Sequence, residues 1–228
     1  MIKTGKIWHS PLNVYWHIQE LTKKVGTKAI ENKNEYKNVR EARIGAVMAL
    51  VMFQTMGKPT YVQLYKPDPP DVILMQPSKD VKGQLDIILV EITSFIGDPQ
   101  ESLLEQLKRT KTKPGIHTLS EEYILVVNVG VGLNVEYKLI RDYLNENNTP
   151  FPVWVIQQIS NYPDTIAKVV IINPELHEID INVGEAAYLF GKSGWADVLH
   201  TRRVGRVESV RLEKAEKSYQ APWETIGK

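Results

Sequence analysis

Between positions 36 and 56 the apolar residues Ile44, Val47, Met48, Val51 and Met52 recur at three- and four-residue spacing, and Gly57-Lys58-Pro59 closes the run. That period predicts a helix over 36–56. The pattern then shortens into runs that predict strands over 61–66, 72–76 and 85–93. The first two are separated by Pro67-Asp68-Pro69-Pro70-Asp71, residues that fix φ or cap a turning backbone. The third contains Ile87-Ile88-Leu89-Val90, whose continuity predicts burial on both faces. Asp98-Pro99 predicts a helix start, with Asp as N-cap and Pro in the first turn, for a helix running to 113 before Pro114-Gly115. A fourth buried strand over 123–129, a helix over 137–145 and strands over 153–159 and 167–172 follow. The order α-β-β-β-α-β, continued by mixed structure, predicts an α/β protein with a mixed central sheet flanked by helices. Residues 1–228 read as a single domain, with a core over about 36–175 and an extension over about 176–228 that carries no clear pattern.

Composition narrows the function classes. With 43% hydrophobic and 24% charged residues, the chain of 228 residues is that of a folded protein rather than a disordered one. It has no cysteine, which excludes disulfides, Cys-type zinc sites, iron-sulfur clusters and a thiol nucleophile. An intracellular, cytoplasmic address is the inference. The longest apolar run, 46–53, is too short to span a bilayer, and the first residues hold no apolar signal segment. A net charge of +1 argues against coating nucleic acid electrostatically but leaves room for a local basic patch.

Several motifs fail on inspection. Gly191-Lys192-Ser193 lacks the leading glycine of a phosphate loop, since Ala186 stands there. Gly130-Val131-Gly132 follows a strand, but Val135 occupies the place of the third glycine of a dinucleotide fingerprint. The five histidines form no pair at helical metal-binding spacing.

A set of acids survives. Asp71 opens the second predicted strand, and Glu91 follows four aliphatic residues in the third, with Thr93 on the same face. A carboxylate at the end of a buried strand is costly unless paired or bound to a cation. Glu41 lies three, seven and ten residues before Ile44, Met48 and Val51, so it continues the helix's apolar stripe and points inward. Three converging oxygen donors suit Mg²⁺ or Mn²⁺.

The element order, the literal Pro70-Asp71 and Glu91-Ile92-Thr93 twenty residues on resemble the PD-(D/E)XK nuclease superfamily, the restriction-endonuclease-like fold, over roughly residues 36–130. The resemblance implies a metal-dependent nuclease that hydrolyses phosphodiester bonds. Asp71, Glu91 and the Ile92 carbonyl would be ligands of one or two Mg²⁺ or Mn²⁺ ions, with Glu41 as the helix acid. It also implies a nucleic-acid partner, DNA before RNA, and no membrane; a homodimer is one assembly open to the chain. Thr93 stands where the family pattern most often has lysine, and a hydroxyl supplies no positive charge. The helix after the motif carries Lys108, Arg109, Lys111 and Lys113. This is similar to members in which the lysine has moved to that helix, among them the Glu-x-Thr cap-snatching endonucleases of segmented negative-strand RNA viruses. Lys108 is the first candidate for the displaced lysine, Lys111 the second and Lys66 the third. Gln106 resembles a glutamine that some family nucleases carry on the same helix. The alternative is a catalytically inactive module on the same fold that binds nucleic acid or protein.

Each residue also has a plainer reading. Asp-Pro-Pro-Asp is an ordinary turn, Glu91 is a charge guarding an edge strand, and Glu41 pairs with Lys37 four residues earlier. The basic helix and the stretch 200–217, with six basic against three acidic residues, read equally as solvated faces or, for the stretch, as a backbone-tracking tail flanked by Trp195 and Tyr219.

Overall fold

The computed structural model describes residues 7–64, 70–78, 84–97, 101–113, 116–117, 119–158, 165–173, 175–193, 198–204 and 207–210. Strand β1 (Ile7–His9) leads into α1 (Pro11–Val25), α2 (Thr27–Asn32), a short 3-10 turn at Asn34–Tyr36 and the long helix α3 (Lys37–Met56). Strands β2 (Tyr61–Leu64), β3 (Val72–Pro77) and β4 (Leu85–Phe95) come next, followed by α4 (Leu103–Thr110). The two-residue strands β5 (Thr112–Lys113) and β6 (Ile116–His117) pair with each other before β7 (Tyr123–Val129), α5 (Tyr137–Glu146), β8 (Val153–Gln158) and β9 (Ile166–Ile171). Strand β10 (His177–Asn182), helix α6 (Val183–Lys192), β11 (Val198–Val204) and β12 (Val207–Val210) complete the described chain.

Ten strands form one sheet in the order β10-β9-β8-β7-β4-β3-β2-β1-β11-β12. Strands β4, β7 and β8 run parallel, and the other neighbours are antiparallel. The protein is therefore α/β with a mixed sheet, and the predicted α-β-β-β-α-β order is present as α3-β2-β3-β4-α4-β7 with the β5–β6 hairpin inserted before β7.

Alternation along the strands splits the apolar residues between two layers. Val90, Val126, Trp154, Ile156 and Val169 pack under α1, α3 and α6, whereas Phe95, Leu125, Val127, Val153, Val155 and Val170 pack under α4 and α5. Residues 177–192 join this architecture: β10 extends the sheet, and Ala186, Ala187 and Phe190 of α6 are buried in the same layer as α3.

Helix α3 lies against β2 and β3 so closely that a Cβ on Gly45 would come within 2.9 Å of methyl groups of both Val62 and Val72. Only glycine permits that approach. Gly57, at φ 68°, then caps the helix in the left-handed region, the stop that Gly57-Lys58-Pro59 predicts.

Two elements differ from expectation. Helix α4 starts at Leu103, not at Asp98: Ser102 is the N-cap, its hydroxyl accepting from the Glu105 amide at 3.2 Å. Ser102 and Glu105 stand at capping-box spacing, and that start signal prevails; Asp98 and Pro99 lie outside the described residues. The helix also stops at Thr110, short of 113. Burial on both faces of the Ile87–Val90 run does not hold either, because Ile87 is 52% exposed. Strand β7 begins only opposite Leu89, so the first residues of β4 have a strand neighbour on one side alone.

Among the described residues no helix is long and apolar enough to cross a membrane.

Candidate functional site

Strand β3 begins at Val72, opposite Val90 of β4. One step further along that antiparallel register, Asp71 stands opposite Glu91. Its amide donates to the Val90 carbonyl at 3.1 Å, and its Oδ2 accepts from the Ile92 amide at 2.8 Å. Where Pro70 breaks the strand, the Asp71 side chain thus takes over a ladder position. The carboxylate is buried and held in one orientation by a backbone N–H.

The close approach at Gly45 determines what lies beside it. Glu41 is one helical turn before Gly45, and Asp71 directly precedes Val72, so the contact that seats α3 on Val72 also brings Glu41 to Asp71. Glu41 is buried, as its place on the apolar stripe predicts. Burial first, and the Asp71 charge second, push its carboxyl above the ordinary glutamate range, with Lys37 opposing both. The Lys37 ammonium bridges the two acids, 3.2 Å from Glu41 Oε1 and 3.7 Å from Asp71 Oδ1. The Lys37–Glu41 pair of the plainer reading is therefore present, but inside a three-residue group, and Glu41 is buried rather than a solvated helix residue.

Glu91 faces the other way. Its parallel partner on β7 is Leu125, and Phe95, four residues on, is packed with Leu125 under α4 and α5. On that face Lys111 Nζ lies 2.9 Å from Glu91 Oε1. Strand β4 is interior, between β3 and β7, so the reading of Glu91 as an edge-strand guard does not apply. Thr93, half-buried, occupies the next position on the same face, opposite Val127. One contact ties α4 to the strand and another ties its exit to α5. Gln106 Nε2 donates to the Ser94 carbonyl at 3.0 Å, and the Tyr143 hydroxyl of α5 donates to the Thr112 carbonyl at 2.6 Å.

The structure thus brings Asp71, Glu41, Glu91, Ile92 and Lys111 to one end of β4, with the acids approaching from both faces of the sheet. Lys108, the first candidate for the displaced lysine, is turned elsewhere: its ammonium pairs with Glu105 at 3.0 Å and lies 5.1 Å from the centre of the Tyr143 ring. Arg109 pairs with Glu101, so for these two residues the solvated-face reading holds. Lys66, Trp195, Tyr219 and residues 205–206 and 211–217 of the basic stretch lie outside the described residues. Sequence reasoning assigned no site role to Lys37 or Tyr143. Lys37 was legible only as a helix pair with Glu41, and nothing in the sequence ties Tyr143 to the exit of α4. Among the described residues, no three His, Cys, Asp or Glu side chains are grouped closely enough to hold a metal ion as they stand. No family model matches the chain, and no characterised protein or solved structure is significantly similar to it.

Proposed function

We propose that the chain is a metal-dependent nuclease that hydrolyses phosphodiester bonds of DNA, with RNA second. The observation that carries this reading is the anchoring of Asp71 on the Ile92 amide opposite Glu91, with Lys111 delivered to Glu91 from the segment that ends the following helix.

The donor set fits a hard divalent cation. It consists of oxygens only, and the Glu41 carboxyl is raised first by burial and then by the charge of the adjacent Asp71, with Lys37 opposing both. Mg²⁺ is commonly held by one or two carboxylates with water completing its shell, so the absence of a three-acid cage is compatible with it. Asp71 and Glu41, which share Lys37, would hold Mg²⁺ or Mn²⁺ with water completing the shell. Glu91 and the Ile92 carbonyl, the further ligands the resemblance implies, would have to turn toward the ion, since Glu91 is paired with Lys111 on the opposite face. When bound, such an ion lowers the pKa of a coordinated water and offsets charge on the scissile phosphate.

The chain's own residues supply the rest. The Ile92 amide fixes the Asp71 carboxylate, so no reorientation is needed at the moment of reaction. Lys111, beside Glu91, is the candidate for the positive charge that Thr93 lacks. The Thr93 hydroxyl, two residues beyond Glu91 on the same face, is a hydrogen-bonding group for an oxygen of the substrate.

The test is cleavage of supercoiled plasmid and of a single-stranded oligonucleotide with Mn²⁺. Cutting by the wild type that is lost in Glu91→Gln and in Lys111→Met is the expected result. Cutting that survives Glu91→Gln removes the assignment.

A second reading is favoured by Thr93 itself: a non-catalytic module on this fold that binds nucleic acid or protein, with Lys111 and Glu91 a structural pair. Cation binding separates the two. A ligand at about 100 times its Kd stabilises by about 2.7 kcal/mol, a rise in Tm of roughly 5 to 10 °C for a chain of this size. No such shift with Mn²⁺, or the same shift in Asp71→Ala, favours the binding module.

A further inference from the structure

Two lysines serve the acids, and they are held differently. The Lys111 side chain is 22% exposed and pairs with Glu91, at the end of a helix tied down by Gln106 and Tyr143. The Lys37 side chain is 59% exposed, sits in the first turn of α3, and places its ammonium between Glu41 and Asp71. An exposed lysine pair is weak and exchangeable, because solvent screens it and the long side chain loses rotamer freedom when held.

The ammonium also stands where a hard cation would. A divalent ion bound by the same two carboxylates would lie about 2 Å from their oxygens. Lys37 Nζ, at 3.2 and 3.7 Å from those carboxylates, would compete with such an ion for the same oxygens and be repelled by its like charge, and unlike Lys111 it has a mostly exposed side chain that solvent can receive. Resting on the cation site proposed above, we propose that Lys37 is a built-in counter-ion: its ammonium neutralises the Glu41–Asp71 pair in the cation-free protein, and divalent cation binding displaces it into solvent. Cation affinity is then set partly by a residue that coordinates nothing. The exchange also explains how two buried carboxylates are tolerated side by side without an ion, since each lies within reach of the same ammonium.

The test is calorimetric titration of Mn²⁺ into the full chain as wild type, Lys37→Met and Lys37→Arg, with Asp71→Asn as the site control. A second readout is acetylation of lysines by an amine-reactive ester, followed residue by residue by mass spectrometry with and without Mn²⁺. Lys37→Met is expected to bind Mn²⁺ roughly three- to fivefold more tightly than wild type, the range set by the strength of an exposed ion pair. Lys37→Arg should not gain affinity, and Mn²⁺ should raise the acetylation rate of Lys37. Binding by Lys37→Met but not by wild type supports the same conclusion more strongly. Equal or weaker binding in Lys37→Met, with wild-type binding abolished in Asp71→Asn, overturns the counter-ion role and leaves the cation site standing. No Mn²⁺ binding in any variant, or binding unaffected by Asp71→Asn, overturns both.

Discussion

On the α4 face of the sheet Glu91 meets Lys111 at 2.9 Å, at the end of a helix that Gln106 ties to the strand and whose exit Tyr143 pins to α5. On the α3 face Glu41 and Asp71 share Lys37, a lysine in the first turn of α3 whose side chain is mostly in water. Both groups place lysine beside partly or fully buried carboxylate, yet their dependence on the surrounding fold differs. The Lys111 pair rests on several helix–strand contacts, so disturbing it disturbs packing. The Lys37 group follows from the close seating of α3 at Gly45 and the anchoring of Asp71 on the Ile92 amide, and its lysine side chain is 59% exposed.

The largest effect separating the two is expected from Lys111→Met, which removes the ammonium 2.9 Å from the largely desolvated Glu91 carboxylate. Breaking a fully buried pair costs about 3–5 kcal/mol, and the remaining exposure here brings the expectation to about 2–3 kcal/mol. Thermal unfolding should show a fall in Tm of roughly 5 to 10 °C. A change below 2 °C would remove the contrast.

Asp71→Ala is expected to follow, at about 1–2 kcal/mol, because the partly buried Ile92 amide loses its acceptor. Asp71→Asn keeps an oxygen for that amide and should recover most of the loss, measurable by urea unfolding. Equal losses in the two variants would show that the charge, not the ladder hydrogen bond, stabilises this end of β3.

Lys37→Met should cost less than about 1 kcal/mol in the cation-free protein, the range of an exposed pair. The smallest effect has the opposite sign. The Glu41 carboxyl is pushed above its reference value of 4.5 by burial and by Asp71, so ionising it is less favourable folded than unfolded. Its contribution is most favourable below that reference value and is lost as pH rises through the higher folded value. In EDTA, Glu41→Gln should therefore match wild type at low pH and become more stable by up to about 1 kcal/mol at neutral pH. Denaturant titrations at several pH values would show it, and a variant less stable than wild type at neutral pH would refute it.

Helix α3, strands β2, β3, β4 and β7 and helix α5 were legible because apolar periods end at glycine or proline. Glu41 was legible for the same reason, as a polar residue occupying the apolar stripe. Helix α1 was not, although Ser10-Pro11 marks its start: only Pro11, Leu12 and Val14 are fully buried, and the aromatic and polar residues that follow blur the period. Lys111 could not be ranked above Lys108 because the choice depends on where α4 stops. With the helix ending at Thr110, Lys111 leaves the helical period and turns to the strand, while Lys108 stays on the outer surface beside Glu105. Similarly, exposure at Ile87 depends on where β7 starts, a property of a segment more than thirty residues away.

The Ile92 amide, which the Asp71 carboxylate holds, gives the molecule an internal gauge. The lifetime of that one proton against exchange with deuterated solvent depends on a carboxylate that is itself poised at the candidate site. Anything that draws Asp71 away from the backbone should shorten that lifetime, while neighbouring amides of β4 that pair with β7 keep theirs. Events at the site can thus be followed at a single peptide bond, with no substrate known and no label introduced.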